Sequence, residues 1–491
     1  LASAGWSQNY SAEETLAALA EEVQRAADSL VSAEGIRPYF VAARLEYQEV
    51  TQWRAERGVI FPSQYQITPS IVAEIRVGSP ALDDSRFIGN PSEIFPFSMP
   101  LPLDGSPALL KRTLWILFDD AFRQACRNLT EKISWLKNHP GARFNQIDFT
   151  PPVPTQRRDT IAAATIDTLQ LKKELQQLSL LSENEAHIIE APVLFMQQNS
   201  RQWIVNNLGT RSIVDSRQSR LVTSFLTQAD DGSPLWDYWS QATPHFSEID
   251  FERAQQERKK RIERLDLVRK SPPSSAIYRG PLLFESEASA QLFHTTLLSL
   301  LSNAESELLL VEYAPPPIIL SSLHHRLLPP GFSLFDLPSL SSFQNQSTIS
   351  HTQIDGEGTL SSDLLIIDDG LLNDLPRGLS SLLPGKESNG HFFRNATSFS
   401  TTVLSCPEQL VRADLTAALR TATRDEGNQF SYAVVRFEDP IASSLFRSPL
   451  ADEFRGRVHF SDIEAIRPPI PVAIDRIDLN GSRTPVRPLQ I

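Results

Sequence analysis

Apolar residues in the first half of the chain change their period several times, which limits the fold to those that combine helices with sheet. From Leu16 to Leu30 they recur every three or four residues, as on one face of a helix, and Ser11 with Glu14 forms a capping-box pattern. Afterwards β-branched and aromatic residues alternate with polar ones, which predicts antiparallel strands with one solvated face. Three such runs follow one another: residues 38–47, 49–61 and 71–77.

Helical spacing returns twice before the middle of the chain. Residues 106–138 carry an apolar stripe that ends before Pro140, and residues 162–181 carry a second stripe after a proline-rich link. Shorter strand-like runs complete this half: residues 188–197, 203–205, 212–214 and 221–225. We therefore expect an α+β fold in which long N-terminal helices pack on an antiparallel sheet.

Residues 248–270 form a highly charged helical stretch that ends at a Ser-Pro-Pro-Ser-Ser break. Its basic run from Arg258 to Arg261 lies among acidic residues, and Glu257 is spaced to pair with Arg261 on a helix. This pattern favours a solvated helix over a nucleic-acid contact. We place the main boundary here and predict three units: an N-terminal domain (1–245), a charged helical connector (246–275) and a C-terminal domain (276–491).

The C-terminal domain is predicted to be β-rich, with a barrel-like or sandwich-like arrangement. It has a helical stretch near residues 286–302, and the biased composition of residues 329–350 predicts a mobile loop. Its short predicted strands are residues 364–367, 433–437 and 472–477.

Charge and cysteine content argue against several classes of protein. A net charge of −13 and a pI near 5.3 argue against a polyanion as the main partner, because phosphate binding needs a basic surface. With Cys126 and Cys406 alone, a zinc module of cysteine pairs and a disulfide framework are both excluded. No apolar stretch reaches the length of a membrane helix. We expect a cytoplasmic protein, or a secreted or periplasmic one if a signal peptide was removed before Leu1.

Local motifs for nucleotide, hydrolase or zinc-protease chemistry are missing from the sequence, which has no GxGxxG, Walker, GxSxG or HExxH pattern. No two histidines are three or four residues apart, as two metal ligands on one helical face would be. His324 and His325 are adjacent, and adjacent side chains diverge on a strand or a helix. We therefore do not expect these two histidines to bind one metal ion.

Two acidic clusters, DGEG at residues 355–358 and DDG at residues 368–370, allow two interpretations. Clustered carboxylates serve in acid–base chemistry and in calcium binding. However, Asp-Gly directly after the apolar run 364–367 is typical of a tight hairpin, in which glycine supplies a positive φ. Turns are therefore the favoured interpretation of both clusters.

Residues 278–294, YRGPLLFESEASAQLFH, resemble the helix-entry motif of the TldD/PmbA family, where a GPVLFEGxAAAxLF-type run leads into the active-site helix. The resemblance extends from about Leu16 to the end of the chain and implies the α+β fold of that family. Other segments agree with family landmarks in order: RPYFV at 37–41, EIRVG at 74–78, LDD at 82–84, PGFS at 330–333 with Asp336, DGEG at 355–358, the hairpin at 364–375 and SNGH at 388–391.

For TldD members, the resemblance implies a zinc-binding HExxxH helix, with a later cysteine as a further ligand and the glutamate activating water. Here His294 stands at the first position, but Thr295 replaces the glutamate and Ser299 replaces the second histidine. We therefore expect a structural role for His294. If zinc binds, His391 and Cys406 are the substitute ligands to consider, and the family's cysteine would lie beyond the end of the chain.

The resemblance leaves three hypotheses for function. The first is a catalytically degenerate subunit of the PmbA (TldE) kind, without a cofactor, that binds unfolded peptide or supports an active TldD-like partner as a homodimer or heterodimer. An exposed sheet edge would suit an extended peptide. The second is an active zinc metallopeptidase with non-standard ligands, and the third is a structural or interaction protein without a role in proteolysis. None of them predicts direct binding to nucleic acid or to a membrane.

Overall fold

The N-terminal half of the chain is built on one large, mostly antiparallel sheet, and the C-terminal half on two four-stranded sheets within the described residues. In these parts of the chain, no helix is both long and apolar enough to cross a membrane. The computed structural model describes residues 10–85, 97–103, 105–139, 147–161, 166–273, 278–302, 321–350, 353–381, 383, 386–393, 396–406, 409–447 and 469–488.

The large sheet has the strand order β10-β9-β8-β1-β3-β4, with β2, β5, β6 and β7 pairing at its margins. Its strands are β1 (Pro38–Glu56), β2 (Val59–Ile60), β3 (Gln64–Ser79), β4 (Leu82–Asp83), β5 (Phe97–Pro100), β6 (Arg158–Asp159), β7 (Ile188–Glu190), β8 (Val193–Asn206), β9 (Arg211–Gln228) and β10 (Pro234–Thr243). The helices of this half are α1 (Ala12–Ser29), α2 (Pro107–Asn138), α3 (Thr168–Leu180) and α4 (Phe251–Arg269).

The long strands exceed the runs predicted from the sequence. Strand β1 continues through the predicted break at residue 48 and ends at a two-residue turn, residues 57–58. Strand β8 likewise continues through the polar residues 198–202, and β9 unites two predicted runs. The predicted breaks in these strands were wrong. Backbone pairing with the neighbouring strands continues through the polar residues, and their side chains lie beside residues of those strands.

The helices cover one face of the sheet, as predicted. Odd-numbered residues of β1 point to this face: Leu45 packs with α1 and α2, and Ala55 packs with α3. The predicted capping box is not formed, because the Ser11 side chain makes no capping hydrogen bond. Helix α3 begins at Thr168 and is capped by Asp167, and residues 162–165 of the predicted helix lie outside the described residues.

Helix α4 is not the fully solvated helix that its charge predicted. Arg258 is completely buried and donates hydrogen bonds to the Ser182 hydroxyl (2.9 Å), the Ala191 carbonyl (2.8 Å) and the Thr223 hydroxyl. The basic run divides by helical periodicity, so Arg258 and Arg261 face the sheet while Lys259 and Lys260 face solvent.

The C-terminal half contains the sheets β11-β20-β21-β22 and β16-β15-β12-β19. Its strands are β11 (Leu282–Phe284), β12 (Ser333–Asp336), β13 (Ser342–Phe343), β14 (Gln346–Ser347), β15 (Leu364–Asp368), β16 (Leu371–Leu372), β17 (Phe392–Phe393), β18 (Ala396–Thr397), β19 (Thr402–Ser405), β20 (Phe430–Phe437), β21 (Pro471–Asp478) and β22 (Arg483–Val486). Its helices are α5 (Ser286–Phe293), α6 (Ser299–Ser302), α7 (Arg412–Asp425) and α8 (Pro440–Ser444).

The prediction of a mobile loop at residues 329–350 is wrong, because β12 lies inside a sheet between β15 and β19. Leu334 is buried in its core and Asp336 is fully buried. The hairpin after β15 is confirmed, since Asp369 and Gly370 have φ values of 46° and 80°, which suit a tight turn between β15 and β16.

The C-terminal half packs on the sheet face opposite the helices. An apolar cluster joins Trp236 of β10 to Phe446, which follows α8, and a second cluster joins Phe40 of β1 to Leu379. The α+β organisation is thus confirmed, with helices on one face of the sheet and the C-terminal half on the other.

Candidate functional site

The helix that carries His294 contains a π-helical turn at the motif positions. The turn covers His294–Leu298, between α5 and α6, and the backbone N–H of Ser299 donates to the carbonyl of His294. In an α-helix, two residues five apart are separated by about 140°. The π-helical hydrogen bond instead joins residues five apart, so positions 294 and 299 are brought to neighbouring points of one helical side.

The side chains at these positions differ from those of the zinc motif. His294 is exposed, while the hydroxyl of Thr295 donates to the Gln291 carbonyl (2.9 Å) and Ser299 is half-buried. A threonine hydroxyl cannot act as a general base near neutral pH, and serine is not among the usual zinc ligands. Among the described residues, no three His, Cys, Asp or Glu side chains are grouped to hold a metal ion.

The motif helix is fixed to the large sheet by polar contacts one turn before His294. The Gln291 amide donates to the Tyr238 hydroxyl (2.7 Å) and accepts from the backbone N–H of Phe437 (2.9 Å). Nearby, Arg436 of β20 contacts Asp237 of β10 at 2.5 Å. Two sheets and the helix therefore share one polar junction.

His391 is held by other partners. It is fully buried, with Nε2 at 2.9 Å from Asp336 Oδ2 and Nδ1 at 2.9 Å from the Asn389 carbonyl. Asp336 also accepts hydrogen bonds from the backbone N–H and hydroxyl of Ser400. Both ring nitrogens lie beside oxygen atoms, and His391 therefore joins β12 to the loops that contain Asn389 and Ser400.

The other candidate residues lie on separate elements. Cys406 is half-buried and directly follows strand β19. His324 and His325 are exposed on a turn, where His324 has a positive φ of 63°. The thiol of Cys126 on α2 is half-buried, and burial raises its pKa to about 11, which suits a packing role.

A polar surface crosses the sheet face that meets the C-terminal half. At its two ends, Arg44 donates to the Gly356 carbonyl (3.2 Å) and Arg54 donates to the Leu445 carbonyl (2.7 Å). These two arginines are ten residues apart on β1, which corresponds to about 34 Å. Between them the sheet carries partly exposed, uncharged amides that we call the glutamine strip: Gln48, Gln52, Gln66, Gln198, Gln202 and Gln218.

Three solved structures have a fold similar to that of this chain. TldE from Thermococcus kodakarensis matches with a TM-score of 0.57 and 14% identity, over 91% of this chain and 87% of that chain. A proposed modulator of DNA gyrase from Bacteroides thetaiotaomicron matches at 0.56 and 11%, over 95% and 91%. Another from Thermotoga maritima matches at 0.52 and 13%, over 82% and 80%. This chain has the TldD/TldE fold.

The sequence itself matches no protein-family model and no curated protein. At 11% to 14% identity, the likeness to the solved structures concerns the fold. The ordered landmarks in the sequence therefore predicted the TldD/TldE fold correctly, although they are too sparse to register as overall sequence similarity.

Within this TldD/TldE fold, the DGEG loop (residues 355–358) carries two carboxylates that the turn interpretation left without a role. The turn itself is present, because Asp355 Oδ1 accepts from the backbone N–H groups of Glu357 (3.0 Å) and Thr359 (2.9 Å). Yet Asp355 is fully buried, and burial raises its pKa to about 6. The pKa of Glu357 is raised as well. Loss of contact with water is the largest cause, and the negative charges of Asp355 and Glu74 come next. Local composition gave no signal for this, because the burial comes from a sheet distant in sequence.

Proposed function

We propose that this chain is a non-catalytic subunit of the TldD/TldE type that binds unfolded polypeptide and associates with an active TldD-like partner. The observation that carries the proposal is the motif helix, which has the π-helical turn but places hydroxyl side chains at 295 and 299. His294 alone offers one imidazole, and the general base is missing.

The glutamine strip supports polypeptide as the ligand. Each amide offers donors and an acceptor without charge, which suits the backbone of a peptide of varied sequence. The interval of about 34 Å between Arg44 and Arg54 corresponds to an extended peptide of about ten residues. Two structural neighbours are proposed modulators of DNA gyrase. The net charge of −13 gives this chain no electrostatic basis for DNA binding, so DNA is not part of the proposal.

The metal content is the first test. We expect protein purified without chelator to contain far less than one zinc per chain by mass spectrometry, because the helix lacks the second histidine and the glutamate. His294→Ala should leave this content unchanged, and so should the control His324→Ala. One zinc per chain that is lost, together with peptide cleavage, in His294→Ala would contradict the proposal and favour an active metallopeptidase.

The glutamine strip is the second test. We expect a fluorescently labelled, reduced and carboxymethylated polypeptide to bind, as measured by anisotropy, and the same polypeptide in its native fold not to bind. The double variant Gln48→Glu/Gln202→Glu keeps side-chain shape, removes two amide donors and adds charge beside Glu46, so we expect about tenfold weaker binding.

The matched control is Gln256→Glu, which changes an exposed glutamine on α4 and should bind the polypeptide like the unchanged protein. Equal affinity for the double variant and the control would remove the strip from the proposal. Failure of any unfolded polypeptide to bind would favour the hypothesis of a structural protein.

A further inference from the structure

One margin of the large sheet ends in an open strand edge. Strand β3 pairs with β1 throughout residues 64–68, but on its other side β5 pairs only with residues 70–73. Next to β5, the Pro69 carbonyl accepts from the backbone N–H of Leu101 (2.8 Å). Among the described residues, no strand pairs with the outer side of residues 64–68. We call this segment the β3 edge.

Alternate backbone groups of the β3 edge point outward. In an antiparallel ladder, successive residues direct their N–H and C=O groups to opposite sides of the strand. The Pro69 carbonyl is bonded on the outer side, so the groups of Tyr65 and Ile67 also point outward. Those of Gln66 point inward, toward β1. The edge therefore offers two donors and two acceptors to a further strand.

The β3 edge lacks the features that usually protect an exposed strand from pairing. No charged residue occurs from residue 58 to residue 73, although 21% of the chain is charged. Ile67 is half-buried, the other four residues of the edge are exposed, and Tyr65 is exposed by 55%. An exposed edge without charges is a template for pairing with an extended chain.

The opposite margin of the same sheet is covered. There, residues 235–239 of β10 are buried, and the Tyr238 carbonyl accepts a hydrogen bond from Arg261 (3.2 Å). Of these two margins, the one formed by β3 is thus the one open to a further strand.

The surroundings of the β3 edge favour a short extended chain as its partner. Leu101 lies opposite Pro69, so an added strand can face residues 64–68 and must then leave the sheet. A second copy of this protein, paired edge to edge over these residues, would bring its own residues 59–63 onto β5. An unfolded polypeptide has no such continuation, and the uncharged edge suits segments of either charge.

We propose that the β3 edge anchors unfolded polypeptide as an added antiparallel strand. This inference rests on the proposed function and names the backbone groups that bind. Gln66 belongs both to the edge and to the glutamine strip, so the added strand widens the strip. Its side chains alternate between Gln66 on the strip face and Tyr65 with Ile67 on the helix face. Segments that alternate polar and apolar residues are therefore the preferred class.

N-methylated peptides test the added strand. A fluorescently labelled heptapeptide of alternating threonine and valine, with blocked termini, should bind the full chain, as measured by anisotropy. Its valines belong on the helix face, and their N–H groups then point toward β3. N-methylation of the valines removes these donors and should weaken binding by about tenfold or more. N-methylation of the threonines, whose N–H groups point to solvent, should change the affinity by less than about threefold.

A variant of the edge tests the same contact from the side of the protein. Tyr65→Pro removes an outward N–H and leaves the ladder with β1 intact, as proline on an edge strand allows. We expect it to bind the unmethylated heptapeptide about tenfold more weakly. The matched control Tyr65→Thr removes the ring but keeps the N–H, and its affinity should fall by less than about threefold.

Equal affinity of the valine-methylated and threonine-methylated peptides would overturn the added strand, even if Tyr65→Pro does not fold. Unchanged binding by a folded Tyr65→Pro would also overturn it. Failure to bind the heptapeptide while carboxymethylated polypeptide binds would refute this inference alone. If the unchanged protein binds neither, the proposed function is refuted as well.

Discussion

Arg436→Met is expected to lower the free energy of unfolding by about 3–5 kcal/mol, because it leaves a buried carboxylate without its cation. Arg436 and Asp237 are 4% and 1% exposed in their side chains. Burial alone would lower the pKa of Arg436, but Asp237 and Glu287 raise it above the ordinary value. Among the described residues, Asp237 would keep one donor, the backbone N–H of Tyr238. Urea denaturation followed by circular dichroism measures the loss.

The same variant should loosen the helix that carries His294. Arg436 also pairs with Glu287 of α5 at 3.1 Å, so hydrogen exchange in α5 should increase more than exchange in β1. Arg476→Met is the matched control on the neighbouring strand β21, because the Arg476–Asp478 pair is 43% and 32% exposed and should cost less than about 1 kcal/mol.

The double variant Arg436→Met/Asp237→Asn separates charge from packing. Removing both charges should recover a large part of the stability, since the penalty comes from the unpaired carboxylate. If the double variant is no more stable than Arg436→Met alone, the junction acts through shape, and the electrostatic argument is wrong.

Elements with a clear apolar period could be predicted from the sequence. The stripes of α1, α2 and α3 place their apolar side chains on one face, and those faces contact the sheet. The strand β15 and its Asp-Gly turn were equally clear, because the turn residues require a positive φ. In each case the signal is local in sequence.

Strand continuity could not be predicted from local polarity. The polar residues 198–202 of β8 look like a loop, yet Gln198 pairs with Val50 on one side and with Gln218 on the other. Neighbouring strands satisfy the backbone, and the side chains lie on a face that the C-terminal half covers at its ends. A polar run can thus be a strand when distant partners supply its environment.

The residues of the candidate site could be predicted from the sequence, but their arrangement could not, because it depends on partners that are distant in sequence. The sequence identified His294, Thr295 and Ser299, but it could not predict the π-helical turn that brings positions 294 and 299 together. It likewise marked Asp355 and Glu357 as turn residues, although their surroundings include β1 and β3, some 300 residues earlier. Long-range packing, which no local pattern encodes, decides the electrostatics of this site.

Lys132→Met is expected to destabilise the protein by about 3–5 kcal/mol at pH 8. The Lys132 side chain is 2% exposed, and its Nζ contacts Asp148 (2.8 Å) and the Ser85 carbonyl (2.7 Å). Asp148 in turn accepts the backbone N–H of Asp83 (2.9 Å), so a group of buried carboxylates would lose a cation. Denaturation in urea at two pH values measures the effect.

The loss in Lys132→Met should be smaller at pH 5.5 than at pH 8. Burial and the adjacent Asp83 raise the pKa of Asp84 to about 7, so this group gives its stabilising contribution below pH 4 and loses it as pH rises to 7. At pH 5.5 a protonated Asp84 reduces the negative charge left by the missing lysine. Lys270→Met, which removes an exposed pair with Asp266, should cost less than about 1 kcal/mol at either pH. An equal loss at both pH values would mean that Lys132 stabilises the protein through packing, because a charge effect must follow the protonation of its neighbours.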